Sequence, residues 1–249
     1  MKRTRCGFTL VEVSLFLAIT AVVFVGVAVG TQNSIFQQRY NDAVQNFAEF
    51  LRSTYSEVTN VQSDSTGRSK KAIYGKLLVF RKNEGGDNAI KSYNVVGNID
   101  GNLDGNVLDK LKSLGASVTI DNKPVGYVED YIPRWSSQIQ TDDGWGNEGG
   151  VEGYSIFTGM ILIVRSPDTG TVYTYMTTDG TIDDAHIGEG GEKGIFNDDW
   201  DFKQADVDFC VNPNGADKSV LRRDVRIVQG ARNASGVEII SDDDNKCRE

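Results

Sequence analysis

A chain of 249 residues with 39% hydrophobic content is long enough for one anchoring helix and one head domain with a sizeable core. Its 26 Lys and Arg against 35 Asp and Glu give a formal net charge of -9. Nucleic-acid binding draws on clustered Lys and Arg, so this acidic balance argues against a phosphate-tracking surface, and no nucleic-acid partner is expected.

In chain order, Lys2, Arg3 and Arg5 form a short basic leader. Gly7-Phe8-Thr9-Leu10-Val11-Glu12 follows and opens an apolar run from Val13 to Val29. A continuous apolar segment of about 20 residues spans a bilayer as a helix. The run is too long for a cleaved secretory signal, and no A-x-A-like site follows it. An ionised side chain inside hydrocarbon costs about 2.5–3.5 kcal/mol on insertion scales, so Glu12 calls for a partner or a job. The plainest reading is a signal-anchor with Glu12 at headgroup level.

From Thr31 the pattern stays helical and turns amphipathic. Ile35, Phe36, Tyr40, Ala43, Val44, Phe47, Leu51, Tyr55 and Val58 recur at three- and four-residue steps, with polar residues filling the other face. One long helix is therefore predicted, its second half lying under the head's sheet. Gly26 and Gly30 mark where the two halves meet and where the helix could bend, since each glycine weakens it by about 1 kcal/mol. The polar break Ser63–Ser69 ends the arm.

Strands are predicted at Ala72–Phe80 and Ile90–Val96, around the turn residues 84–88, and again at Ser117–Ile120. Between them, Asn106–Leu114 reads as a short helix stopped at Gly115. The clearest hairpin is Tyr154–Val164 with Thr171–Thr177, turned by Ser166-Pro167-Asp168-Thr169-Gly170. Residues 142–153 and 179–201 read as acidic, glycine-rich loops, and Val207–Val211, Asp224–Val228 and Val237–Ile240 as closing strands. Strands following one long helix predict an α+β fold, an antiparallel sheet packed on that helix.

One loop matches a cation geometry. Asp100-Gly101-Asn102-Leu103-Asp104-Gly105-Asn106 fits the opening of an EF-hand-type calcium loop, with Gly105 permitting the sharp turn. The bidentate Glu position holds Leu111, and Asp109 is the nearby substitute, so the candidate ligands are Asp100, Asn102, Asp104, Asn106 and Asp109. A solvated Asn/Asp/Gly turn has the same composition.

Catalysis has thin support. His186 is the single histidine and lies in an acidic insertion, where a surface role fits better. The acid pairs Glu129-Asp130 and Asp198-Asp199 could form a glycosidase couple, but such neighbours arise by chance among 35 acids. No CxxC, HExxH, Walker loop or dinucleotide fingerprint is present, and no enzyme is expected. Asn233-Ala234-Ser235 is a short glycosylation sequon of a kind common by accident, and Arg222, Arg223 and Arg226 read as the solvent face of a strand.

The leader glycine, the aromatic residue after it, the carboxylate spacing and the helix length resemble the class III signal of type IV prepilins and pseudopilins, G-F-T-L-x-E before an apolar helix. The likeness covers the N-terminal helix closely and the rest in outline. It implies a leader at residues 1–7, an assembly helix at 8–62 and a head at 63–249 built on the pilin fold. It implies that a membrane prepilin peptidase cuts between Gly7 and Phe8, that Phe8 becomes an N-methylated terminus, and that Glu12 recognises a neighbouring subunit's terminal ammonium. A lone charge in hydrocarbon is expensive, and a pair between subunits removes much of the penalty, so Glu12 would set register.

With the leader gone, Cys6 goes too, leaving Cys210 and Cys247 to form the C-terminal disulfide common in the family; two free thiols are the alternative. Calcium in the head is also a family trait. Residues 143–147, D-G-W-G-N, resemble a D-P-W-G-N turn of major pseudopilins with glycine in place of proline. Many members carry a proline near the middle of the arm; this chain has none there.

The expected function is a structural subunit of a pilus-like or pseudopilus filament, with a lean towards a minor subunit. Expected partners are the prepilin peptidase, other subunits, the inner-membrane assembly platform, and the membrane itself before assembly. The expected location is a single-pass membrane protein with its head outside the cytoplasm, then a periplasmic or surface filament. The rival is a permanently tethered ectodomain that binds a ligand or hydrolyses a substrate.

Overall fold

The computed structural model describes residues 9–60, 71–82, 88–119, 129–141, 155–178, 196, 201–212, 223–240 and 247. The chain divides into two compact units, Met1–Asp42 and Ala43–Glu249. The boundary falls inside the first helix, α1 (Leu10–Thr59), which is continuous through Gly26 and Gly30.

In the first unit, α1 leaves its large apolar side chains in the open: Val22, Phe24 and Leu10 are 73–86% exposed. Its hydroxyls are turned inward to the helix. Ser14 donates to the Val11 carbonyl at 2.9 Å, Thr20 to Phe16 at 2.9 Å and Thr31 to Val27 at 3.0 Å. The same back-bonding recurs in the second half of α1, where Thr54 donates to Phe50 and Ser56 to Arg52, as short hydroxyl side chains do inside helices.

In the second unit the helix is amphipathic as expected. Ala43, Val44, Phe47, Ala48, Leu51, Tyr55 and Val58 are buried, and Gln45, Glu49, Ser53 and Ser56 are exposed. The strands are β1 (Lys71–Lys82), β2 (Asn88–Asn98), β3 (Ser117–Thr119), β4 (Glu129–Tyr131), β5 (Gln138–Thr141), β6 (Ser155–Ile156), β7 (Gly159–Arg165), β8 (Val172–Thr177), β9 (Val207–Asn212), β10 (Arg223–Ile227) and β11 (Val237–Ile240). A short helix, α2 (Val107–Ser113), lies between β2 and β3.

The expected single sheet is two sheets. One runs β3-β2-β1-β7-β8 with β4 also on β2, the other β11-β10-β9-β5-β6, and their ladders are antiparallel. The proposed Tyr154–Val164 strand is broken accordingly. Its start, β6, pairs with β5 in the second sheet, and only β7 forms the hairpin with β8. Tyr154, Ile120, residues 142–153 with the D-G-W-G-N stretch, and most of 179–200 lie outside the described residues.

A cluster of aromatic rings joins helix and sheets. Phe209 of β9 meets Phe47 of α1 at 5.5 Å and Phe80 of β1 at 5.6 Å, and Phe157 meets both Phe80 and Phe209. Asn88, fully buried, adds a polar tie: its Oδ1 accepts the Ile139 N–H at 2.7 Å, and its amide donates to the Phe157 carbonyl at 3.4 Å. Tyr55 and Thr174 share a buried hydrogen bond of 2.5 Å, and Arg52 donates to the Val237 carbonyl from the other sheet.

The first sheet is covered on its far face too. Leu77 and Val79 alternate with the buried Leu78 and Phe80, and they join Tyr93, Val95, Leu162 and Val164 in a cluster capped by Val107 and Leu111 of α2. Strands buried on both faces lose the apolar-polar alternation, which is why β7 reads Gly-Met-Ile-Leu-Ile-Val. Where β1 shifts register, Gly75 lies so close to β7 that a Cβ would overlap the Ile163 carbonyl and come within 2.7 Å of the Val164 Cα.

Candidate functional site

The helix start is built from Thr9 and Glu12. The Thr9 N–H and Oγ1 both donate to Glu12 Oε2 at 2.9 Å, and the Glu12 N–H donates to Thr9 Oγ1 at 3.3 Å. This is a reciprocal capping box, in which the side chains at the cap and three residues later satisfy amides that the helix leaves open. A carboxylate here also faces the positive end of the helix dipole. Glu12 thus has a local partner within its own chain, signalled in the sequence by T-x-x-E. Gly7 and Phe8, with the rest of the leader, lie outside the described residues.

The Asp100–Asp109 loop is organised as a cap for α2. Asn106 Oδ1 accepts the Asp109 N–H at 3.0 Å, and Asp109 Oδ2 accepts the Asn106 N–H at 3.2 Å. Asn102 Oδ1 accepts the Asp104 N–H at 3.1 Å. Gly105 has φ +92, the left-handed turn the loop pattern calls for, and Gly115 at φ +60 ends α2. Three of the five candidate ligands thus aim oxygens at backbone amides, so calcium would have to draw Asn106 and Asp109 off the helix cap. Among the described residues, no group of three or more His, Cys, Asp or Glu is placed to hold a metal ion.

Cys210 and Cys247 form a disulfide with Cα atoms 5.4 Å apart. Both are buried, and the bond fixes the tail to β9 near the centre of the second sheet. Beside it on β10, Arg226 does not present the solvated basic face expected of it. Its Nε donates to Asp208, and its Nη2 lies 3.5 Å from the fully buried Asp224. The Asp208 hydrogen bond holds the guanidinium pKa above its ordinary value. Arg223 is exposed, and Arg222 lies outside the described residues.

At the turn of the β7–β8 hairpin, Lys110 of α2 donates to Asp168 at 2.6 Å, which holds that carboxyl well below the usual range, with Ser166 adding to the effect. Of the acid pairs, Glu129 and Asp130 lie on β4, opposite Ser92 and Lys91 of β2. His186 and Asp198-Asp199 lie outside the described residues, and Asn233 caps a short 3-10 turn by accepting the Ser235 N–H at 2.9 Å.

A strained residue escaped the sequence reading. Trp135, between β4 and β5, has φ 61 and ψ 32, and it is the one non-glycine residue with positive φ among those described. For a bulky side chain such a conformation costs on the order of 1–3 kcal/mol. No sequence pattern marks it, because Pro-Arg-Trp-Ser is ordinary loop composition.

Among the described residues, one helix, α1, near the N-terminus, is long and apolar enough to cross a membrane. Comparison of the chain with protein-family models, with curated proteins and with solved structures finds no match.

Proposed function

We propose that this chain is a structural subunit of a type IV pilus-like or secretion or competence pseudopilus filament, with a head of pilin fold. In this reading a prepilin peptidase removes residues 1–7, Phe8 is N-methylated, and apolar arms leave the bilayer to bundle as a filament core. Glu12 meets the terminal ammonium of the next copy and sets the axial offset, while acidic heads coat the outside. The observation that carries the reading is the junction of G-F-T-L-V-E with an apolar helix whose large side chains lie unburied. Such a surface is incompatible with water and suits either lipid or a bundle of like helices.

Mass spectrometry of the mature N-terminus tests it. Methylated Phe8 is the expected outcome; an intact Met1, or a cut beyond Val29, would hand the case to the tethered-ectodomain reading. Calcium at Asp100, Asn102, Asp104, Asn106 and Asp109 is a separable proposal with a test of its own below.

A further inference from the structure

We propose that Asn233 accepts an N-linked glycan, transferred from a polyprenyl-diphosphate-linked oligosaccharide by a membrane oligosaccharyltransferase. The inference rests on the filament reading only for a head outside the cytoplasm, which the tethered-ectodomain reading shares. Asn233-Ala234-Ser235 has the required hydroxyl two positions on and no proline between. Three residues alone say little, and the fold supplies the rest. A glycan is bulky and hydrophilic, so its acceptor has to stand on a surface turn. The triplet lies in the connection from β10 to β11, where Arg232, Asn233 and Ser235 are all exposed. The turn is held from inside by the buried Ala231. Its N–H donates to the Val228 carbonyl at 2.9 Å, and the Val228 N–H donates to the Gly236 carbonyl at 3.0 Å. A sugar on Asn233 therefore displaces nothing in the core.

The side-chain bonding divides the Asn233 amide in two. Its Oδ1 accepts the Ser235 N–H at 2.9 Å and the Ser235 hydroxyl at 2.6 Å, filling both lone pairs. Its Nδ2 donates to no group among the described residues. Two donors on the oxygen draw charge from the nitrogen and make its N–H more acidic. In the transfer, Nδ2 attacks C1 of the first sugar. The N–C1 bond forms as the C1–O bond to phosphate breaks, and polyprenyl diphosphate leaves with the electron pair. One amide proton passes to a base on the transferase, and nothing is oxidised or reduced. Alanine at 235 keeps the backbone donor and loses the hydroxyl, whereas threonine keeps both.

The test takes the full chain from the cells that make it, digests it with trypsin and fragments the 233–246 peptide in a mass spectrometer. The expected result is a sugar mass placed on Asn233, lost in N233Q and S235A and retained in S235T. Circular dichroism of each variant should match the unaltered chain. A bare peptide from the unaltered chain overturns the proposal, as does a sugar placed on Ser235 or Asn245. So does a sugar that survives S235A or disappears in S235T. The same sample reads the N-terminus. Methylated Phe8 with a bare 233–246 peptide overturns the glycan and leaves the filament reading standing. A glycan on Asn233 with Met1 intact does the reverse, and a bare peptide with Met1 intact overturns both.

Discussion

Glu12 stands under two demands at once, and substitutions can separate them. The carboxylate closes the capping box with Thr9, and in the proposed filament its charge meets a neighbouring ammonium. Glutamine keeps a side chain able to reach back to the cap and removes the charge, whereas alanine removes both. E12Q should therefore abolish filaments, scored by electron microscopy, while leaving helix content by circular dichroism unchanged. E12A should do the same and also weaken the helix start by about 1 kcal/mol. Normal filaments from E12Q would reduce Glu12 to a cap.

Tyr55 offers a second test at this scale. Burial pushes its phenol pKa from 10.0 up to about 12, opposed by the hydrogen bond with Thr174, and burial does the same to Tyr131. The neutral form is the one the fold stabilises. Its contribution is present in full below the unfolded value near pH 10 and is lost as pH rises through about 12. Urea midpoints should accordingly fall from pH 10 upward. Y55F should flatten that fall while lowering stability at pH 7 by about 1 kcal/mol for the lost hydrogen bond.

Among the elements, β1 is the most sensitive to added volume. A methyl at Gly75 meets the backbone of β7 and has no flexible side chain to displace. G75A should cost about 1–3 kcal/mol, read as a shift of the urea midpoint at constant slope. The disulfide closes a loop across a separation of 37 residues. C247S should lower stability by about 3–4 kcal/mol in the chain-entropy model, and dithiothreitol should have the same effect on the unaltered chain. The α2 cap decides the calcium question. Titration calorimetry with calcium chloride should give heat that N106A and D109A both abolish if the loop is a site, and no heat if Asn106 and Asp109 serve only as a cap.

For the whole molecule, the division at Asp42 and Ala43 means the head's buried helical face starts beyond the apolar stretch. Deleting residues 1–30 should yield a monomer in plain buffer with its near-ultraviolet circular dichroism intact, and the full chain should need detergent. Aggregation of the truncated form would mean that further apolar surface on the head requires cover.

The helix, its change from all-round apolar to amphipathic at the arm's midpoint, the α+β class and most strands could be read in the sequence, because each leaves a local period or a turn residue. The second sheet could not. Strand β5, Gln138-Ile139-Gln140-Thr141, has no apolar alternation, and Gln140 and Thr141 are nonetheless buried, Gln140 hydrogen-bonded to Asn212 of β9. The layer of α2 over the far face of β1 and the ion pair that takes Arg226 off the surface were likewise invisible. The capping box was written in T-x-x-E and went unread behind the assembly role. By itself, the sequence determined what depends on neighbours along the chain: where helix and strands begin, and which stretch is long and apolar enough to cross a membrane. Tertiary structure alone decided which strands share a sheet and which polar groups are buried in pairs, because those partners lie tens of residues apart and only packing brings them together.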